Sequence, residues 1–190
     1  EQLGSDIDGE AAGDQSGVSV SLDSDGDRVA IGAFSNDGSY SDAGHVRIYS
    51  WDGSSWSQLG SDIDGEAAGD RFGYSVSLDS DGDRVAIGAY FNDGNGSDAG
   101  HTRIYSWDGS SWNQLGSDID GEAADDRSGI SVSLDSDGDR VAIGAFNNDS
   151  NGSDAGHARI YSWDGSIWSQ LGPDIDGEAA GDWSGVCVSL

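Results

Sequence analysis

The tripeptide Gln-Leu-Gly recurs at Gln2, Gln58, Gln114 and Gln170, and the 56-residue step between copies never changes. Asp-Ala-Gly-His, Ile-Tyr-Ser-Trp-Asp-Gly and Asp-Ile-Asp-Gly-Glu-Ala-Ala keep the same step. A fixed period of this size marks a tandem array, in which each unit buries its apolar faces against its neighbours. The 190 residues hold three periods with 22 left over. They divide into a partial repeat at 1–22 (an outer strand plus a first strand) and repeats at 23–78, 79–134 and 135–190, within one continuous repeat domain.

The copy from Arg71 onward shows what one repeat folds into. Tyr74, Val76 and Leu78 alternate with Gly73, Ser75 and Ser77, so Phe72 to Leu78 reads as a strand. Asp79-Ser-Asp-Gly-Asp83 is a tight acidic turn. Arg84 to Ala89 is a second strand whose small Ala86 and Gly88 predict close approach of a neighbouring sheet. A polar loop reaches Gly100, and His101 to Trp107 is the third strand. The Asp108-Gly109 hairpin then leads to a fourth strand over Trp112 to Ile119. No segment carries a helical apolar period.

Four antiparallel strands per unit predict an all-β chain of β-propeller-type blades, three full blades plus partial pieces. An open superhelical stack of β-sheets is the architectural alternative. A closed propeller takes about four to eight blades, and Leu190 falls where a hairpin partner is expected. The chain is therefore expected to be a mature or partial segment that continues, or to associate with copies of itself through open strand edges into a ring or fibre.

Charge narrows the partners. Net charge is −28, and all eight basic side chains are Arg. Such a field favours solubility and cations and opposes nucleic acid and anionic membrane surfaces. No apolar run approaches the ~20 residues that span a bilayer, so no membrane insertion is expected. The one cysteine, Cys187, stands where sister copies carry Ser19, Ser75 and Ser131, a near-isosteric exchange.

At Phe72-Gly73-Tyr-Ser-Val and Val85-Ala-Ile-Gly88-Ala89 the sequence resembles the FG-GAP repeat proteins, which include the integrin α-chain head. The resemblance extends over all three repeats and the partial fourth. It implies a β-propeller at a cell surface or in the extracellular space, with adhesive or ligand-binding roles and calcium in blade loops. Phe-Gly is kept at Phe72 alone, the other copies having Ser16-Gly17, Ser128-Gly129 and Ser184-Gly185. The family's proline after Gly-Ala is Phe34, Tyr90 or Phe146 here. Against the family's calcium loop, Asp79, Asp81 and Asp83 match the first three oxygen ligands, while Ile87 takes the place of the last.

Calcium wants about six to eight oxygen ligands, and two stretches per repeat offer carboxylates. One is the turn at Asp23/Asp25/Asp27, Asp79/Asp81/Asp83 and Asp135/Asp137/Asp139. The other is Asp62, Asp64, Glu66 and Asp70, with Asp6, Asp118 and Asp174 opening equivalent sets. Both compositions also suit plain turns. His45, His101 and His157 recur beside Arg47, Arg103 and Arg159 and read as structural, because a repeated residue serves every blade alike. The pairs Trp51/Trp56, Trp107/Trp112 and Trp163/Trp168 read as hairpin packing, with a glycan-binding rim as the alternative. Asn95, Asn148 and Asn151 open Asn-x-Ser glycosylation sequons. No catalytic constellation is legible, so no enzyme is expected and no cofactor other than calcium. The expected function is an extracellular structural or adhesive repeat protein that assembles into a larger scaffold or fibre; the alternative is a calcium-dependent propeller that binds a glycan or a cell-surface protein.

Overall fold

The computed structural model describes residues 2–190, which form fifteen strands and no helix. In the first sheet β1 (Ser19–Leu22), β2 (Arg28–Ala33), β3 (His45–Trp51) and β4 (Trp56–Gln58) pair antiparallel in chain order, and β5 (Ile63–Asp64) returns to pair with the start of β3. The second sheet repeats this with β6 (Ser75–Leu78), β7 (Arg84–Ala89), β8 (His101–Trp107), β9 (Trp112–Gln114) and β10 (Ile119–Asp120). The third does so with β11 (Ser131–Leu134), β12 (Arg140–Ala145), β13 (His157–Trp163), β14 (Trp168–Gln170) and β15 (Ile175–Asp176). These are β-propeller-type blades, as the alternation predicts.

Two strand limits differ from the sequence reading. The first strand begins at Ser75 rather than Phe72, because Arg71 (φ 61°) and Gly73 (φ 85°) turn the chain just before it. The expected fourth strand over Trp112 to Ile119 is broken into β9 and β10 at Gly116 (φ 82°). The cause lies in the next blade. A Cβ on Gly116 would stand 2.7 Å from Trp163 and 3.0 Å from Trp168, so that tryptophan pair occupies the space a side chain would need. Gly60 lies the same way under Trp107 and Trp112.

The tryptophans therefore pack between blades as well as across a hairpin. Each pair lies with ring centroids 5.4 Å apart. The indole of Trp56, Trp112 or Trp168 donates to the carbonyl of Leu3, Leu59 or Leu115, 53 residues earlier. Each pair thus clamps the Gln-Leu-Gly segment of the preceding repeat.

The core lies between the sheets. Ala30, Val46, Ile48 and Ile63 of the first blade meet Phe72, Val76, Leu78, Val85 and Ile87 of the second. Ala86, Ile104 and Ile119 of the second meet Val132, Leu134, Val141, Ile143 and Tyr161 of the third. Burying one such Val or Leu is worth about 1.5–3 kcal/mol, and a single sheet has nothing of its own to bury them against. Val20 and Leu22 of the first blade are 60% and 58% exposed, whereas their counterparts Val76 and Leu78 are 7% and 6%.

Close approach is set by glycine and serine. Gly32, Gly88 and Gly144 lie against the carbonyls of Gly73, Gly129 and Gly185, and a Cβ at any of the three would overlap that oxygen. Beside them the inner strands are linked by hydroxyls. Val76 N–H donates to Ser19 Oγ and Leu78 N–H to Ser21 Oγ, both at 2.9 Å. Leu134 N–H donates to Ser77 Oγ and Leu190 N–H to Ser133 Oγ. Residues up to Leu190 thus begin the same contact, although 186–190 form no strand. The turns stack too: Ser24 and Ser80 donate to the carbonyls of Ser80 and Ser136, and Arg28 and Arg84 to those of Gly82 and Gly138.

Two glycine substitutions separate these effects. Gly69 has φ 87° with open space where a Cβ would go, so Gly69→Ala should cost about 1–2 kcal/mol for the left-handed backbone alone. Gly88→Ala should cost about 3 kcal/mol or more, because it forces two backbones apart. Urea denaturation of both variants against wild type checks the order, and equal costs would show that the blade spacing is soft.

Candidate metal centre

The third strand of each blade opens on a histidine, and its neighbours bring acids to it. Pairing of β3 with β5 sets His45 opposite Asp64, and Asp62 lies just before that strand. Pairing of β8 with β10 and of β13 with β15 does the same for His101 with Asp118 and His157 with Asp174. The third member comes from the connection leading into the blade: Glu10, Glu66 or Glu122. The clusters are Glu10–His45–Asp62, Glu66–His101–Asp118 and Glu122–His157–Asp174, each with one ligand atom per residue inside a 4.8 Å span. Among the described residues these are the groups of three or more His, Cys, Asp or Glu that converge in this way.

The geometry repeats closely. His45 Nδ1 lies 3.8 Å from Glu10 and 3.7 Å from Asp62. His101 Nδ1 lies 3.9 Å from Glu66 and 3.8 Å from Asp118, and His157 Nδ1 lies 3.8 Å from Asp174. The imidazoles are almost fully buried while the acids stay partly open to solvent. Both ring nitrogens of His101 and of His157 lack a hydrogen-bond partner. Burial, followed by the charge of Arg103, pushes the His101 pKa down to about 4 and so keeps the ring neutral. Burial followed by Arg159 lowers His157 as well.

An arginine two residues along each strand takes different positions. Arg103 bridges both acids of its cluster, at 2.5 Å from Glu66 and 2.7 Å from Asp118. Its hydrogen bond is the main reason that Asp118 is held below the usual carboxylate range. Arg47 and Arg159 instead donate to the backbone carbonyls of Asp8 and Asp120, and lie 3.7 and 3.5 Å from their glutamates. The motif thus occurs once with arginine bridging both acids and twice with arginine on a backbone carbonyl and the acids less engaged.

The acidic turns are arranged otherwise. The first carboxylate of each turn caps its own backbone: Asp23 Oδ1 accepts from Asp27 and Arg28, Asp79 Oδ1 from Asp83 and Arg84, and Asp135 Oδ1 from Asp139 and Arg140. Asp25, Asp81 and Asp137 point out as exposed residues. The contiguous set is split up. Asp62 joins the His45 cluster and Glu66 the His101 cluster, while Asp64 sits on β5 and Asp70 accepts from Asn92 at 2.9 Å. Asp6 is exposed and accepts from Gln2 at 2.8 Å. In the sequons, the side-chain nitrogens of Asn95 and Asn151 donate to the carbonyls of Gly121 and Gly177, and that of the buried Asn148 to Asp126. Sequence reading missed the clusters because their members lie 35 and 17 residues apart. The one available signal was that Glu, His and Asp all keep the 56-residue step.

Asp79 supplies a pH test. Burial, with Asp83 close by, raises its pKa to about 6. The folded state then binds more protons than the unfolded state between about pH 4 and 6, so this group's contribution to stability falls as pH rises through that window. Asp79→Asn keeps the acceptor and removes the titration. Urea midpoints measured from pH 4 to 7 should fall less, or rise more, with pH in the variant than in wild type. Parallel profiles would refute this assignment.

Comparison with known proteins places the blades. Residues 62–105 match the FG-GAP repeat, so the resemblance holds over the stretch that carries Phe72-Gly73 and Val85 to Ala89. No curated protein matches the chain. Among solved structures, the periplasmic gluconolactonase of Pseudomonas aeruginosa aligns with TM-score 0.53 at 15% identity, over 85% of this chain and 39% of that one. Sqt1 of Saccharomyces cerevisiae aligns with TM-score 0.54 at 12% identity, over 84% and 35%. A Bacteroides uniformis protein put forward as a 6-phosphogluconolactonase gives TM-score 0.53 at 13% identity, over 83% and 40%. The chain thus spans about two fifths of these structures, and at such identities what it shares with them is the fold. The expectation that the chain is not an enzyme is corrected on this ground. The fold is one that a gluconolactonase also uses, so the architecture does not set catalysis aside.

Proposed function

We propose that this chain, with its FG-GAP repeat at 62–105, is part of an extracellular structural or adhesive array whose end blades receive further blades of the same kind, in a longer chain or in a second copy. The observation that carries this reading is the match between the two outer faces. On one side Val20 and Leu22 lie open where Val76 and Leu78 are covered. On the other, Ile175 is 55% exposed where Ile63 and Ile119 are 6%. Gly172 has open space where Gly60 and Gly116 lie under tryptophan pairs. Each face is half of a joint that the chain builds twice internally. Heterologous faces of this sort add head to tail, closing into a ring or extending as a fibre. The acidic surface supports an extracellular setting and opposes nucleic acid, and no helix of the described residues is long and apolar enough to cross a membrane.

Sedimentation velocity tests the self-association. The wild-type chain should form species heavier than 19.6 kDa as concentration rises, and Val20→Asp or Ile175→Asp should shift it towards the monomer. A wild-type chain that stays monomeric throughout overturns this part of the reading.

A second reading, a calcium-dependent propeller that binds a glycan or a surface protein, draws support from grooves at the blade joints. One of about 430 Å³ is lined by Asp118, Asp120, Tyr161 and Trp168. Its counterpart of about 360 Å³ is lined by Asp62, Asp64, Tyr105 and Trp112. Aromatic faces beside carboxylates suit sugar rings. Glycan-array binding that appears with calcium and is lost in the double variant W112A/W168A would support this reading, and an array blank with and without calcium would remove it.

A further inference from the structure

The geometry points to each joint cluster, Glu10–His45–Asp62, Glu66–His101–Asp118 and Glu122–His157–Asp174, as a binding site for a divalent transition metal of the zinc class, shared between consecutive repeats.

Four observations support it. First, the donor set is one imidazole nitrogen and two carboxylates. That mixture suits zinc and its first-row neighbours, whereas calcium takes oxygen ligands only. Second, His101 and His157 are buried with both ring nitrogens unpartnered. Their Nδ1 atoms face the carboxylates at 3.8–3.9 Å. A buried polar atom without a partner needs an explanation, and here the nitrogen points at the acids a metal would share. Third, zinc bonds of about 2.0–2.2 Å set ligand atoms about 3.3–3.6 Å apart in a tetrahedron. Closing the histidine–carboxylate gaps of 3.7–3.9 Å takes a few tenths of an ångström, and the remaining pairs, inside a 4.8 Å span, close by movement of the solvent-facing glutamates. Fourth, the arginine does not block the acids in every copy: Arg103 lies across its acid pair, whereas Arg47 and Arg159 hold backbone carbonyls. A metal would bind the second arrangement, with arginine beside the glutamate, and would compete with the first.

Each site draws its glutamate from the connection before the blade and its histidine and aspartate from the blade itself, so an ion would tie two repeats together.

The test uses the full chain, stripped of metal. Zinc chloride is titrated calorimetrically in about 150 mM salt with excess magnesium and calcium to saturate the acidic surface. Saturable binding approaching three ions per chain, one for each cluster, and a raised melting temperature are expected. The triple variant E10Q/E66Q/E122Q keeps side-chain size and should weaken binding about tenfold or more. A second variant, His157→Gln, should lose one site while circular dichroism stays that of wild type. Cobalt should give a visible absorption band from nitrogen and oxygen ligation in wild type, and a weaker one in His157→Gln. Absence of saturable zinc binding in wild type overturns the proposal. So does binding that both variants leave unchanged, which would mark diffuse attraction to surface acids. If either variant fails to fold, the wild-type stoichiometry and the cobalt spectrum decide alone.

Discussion

The whole array depends on one contact, the approach of a glycine Cα on one blade to a glycine carbonyl on the next. At Gly32, Gly88 and Gly144 there is no room for a methyl group. That closeness lets a serine hydroxyl reach the backbone N–H of the next inner strand and lets Val and Leu of one sheet fill the surface of another. With wider spacing the hydroxyls would fall short and the edge amides would go unpartnered, at about 1–3 kcal/mol for each one left buried. Apolar burial drives the stacking, while glycine and serine set its distance.

The arginines follow the same logic. A chain carrying 36 acids repels itself, and its scarce cations are concentrated where blades meet. Arg28 and Arg84 hold the next turn, and Arg71 reaches Ser35 and Asp42 across a joint while lying over Phe34. Arg127 lies over Phe91 and Phe146, and Arg47, Arg103 and Arg159 serve the histidine clusters. A planar guanidinium can bond a carbonyl or carboxylate and still cover an aromatic face, which lysine cannot do as well. Trp183 is intelligible in this light. It takes the position of Arg71 and Arg127, with the same positive φ, and meets Phe146 edge-on.

Much of the fold was legible because the period and the two-residue alternation are properties of the backbone itself. Val76 and Leu78 announce a buried face, and Ala86 and Gly88 a close neighbour, without reference to anything distant. Features set by residues of another repeat were not legible. Gly116 bends the fourth strand because Trp163 and Trp168 lie over it, and nothing near Gly116 in sequence says so. The histidine clusters were hidden for a related reason. Asp62 and Glu66 are four residues apart and look like one ligand set, yet β5 ends between them and the chain passes into the next blade. Nearness in sequence misled there, while the members that do meet lie in segments that only strand pairing brings together.

The serine contacts give the stack a direction. The first and second blades lend hydroxyls forwards to the inner strand that follows, so the two outer surfaces are chemically unlike. The first blade's inner strand has no preceding serines to accept from its amides, whereas at the other surface Ser133 already accepts from Leu190 and the positions next in register are Cys187 and Ser189. Such a stack is vectorial in the way a filament is, with a donor end and an acceptor end. Whatever terminates it must come as two different caps: one supplying acceptors to strand amides, the other meeting the Cys187 thiol and the Ser189 hydroxyl.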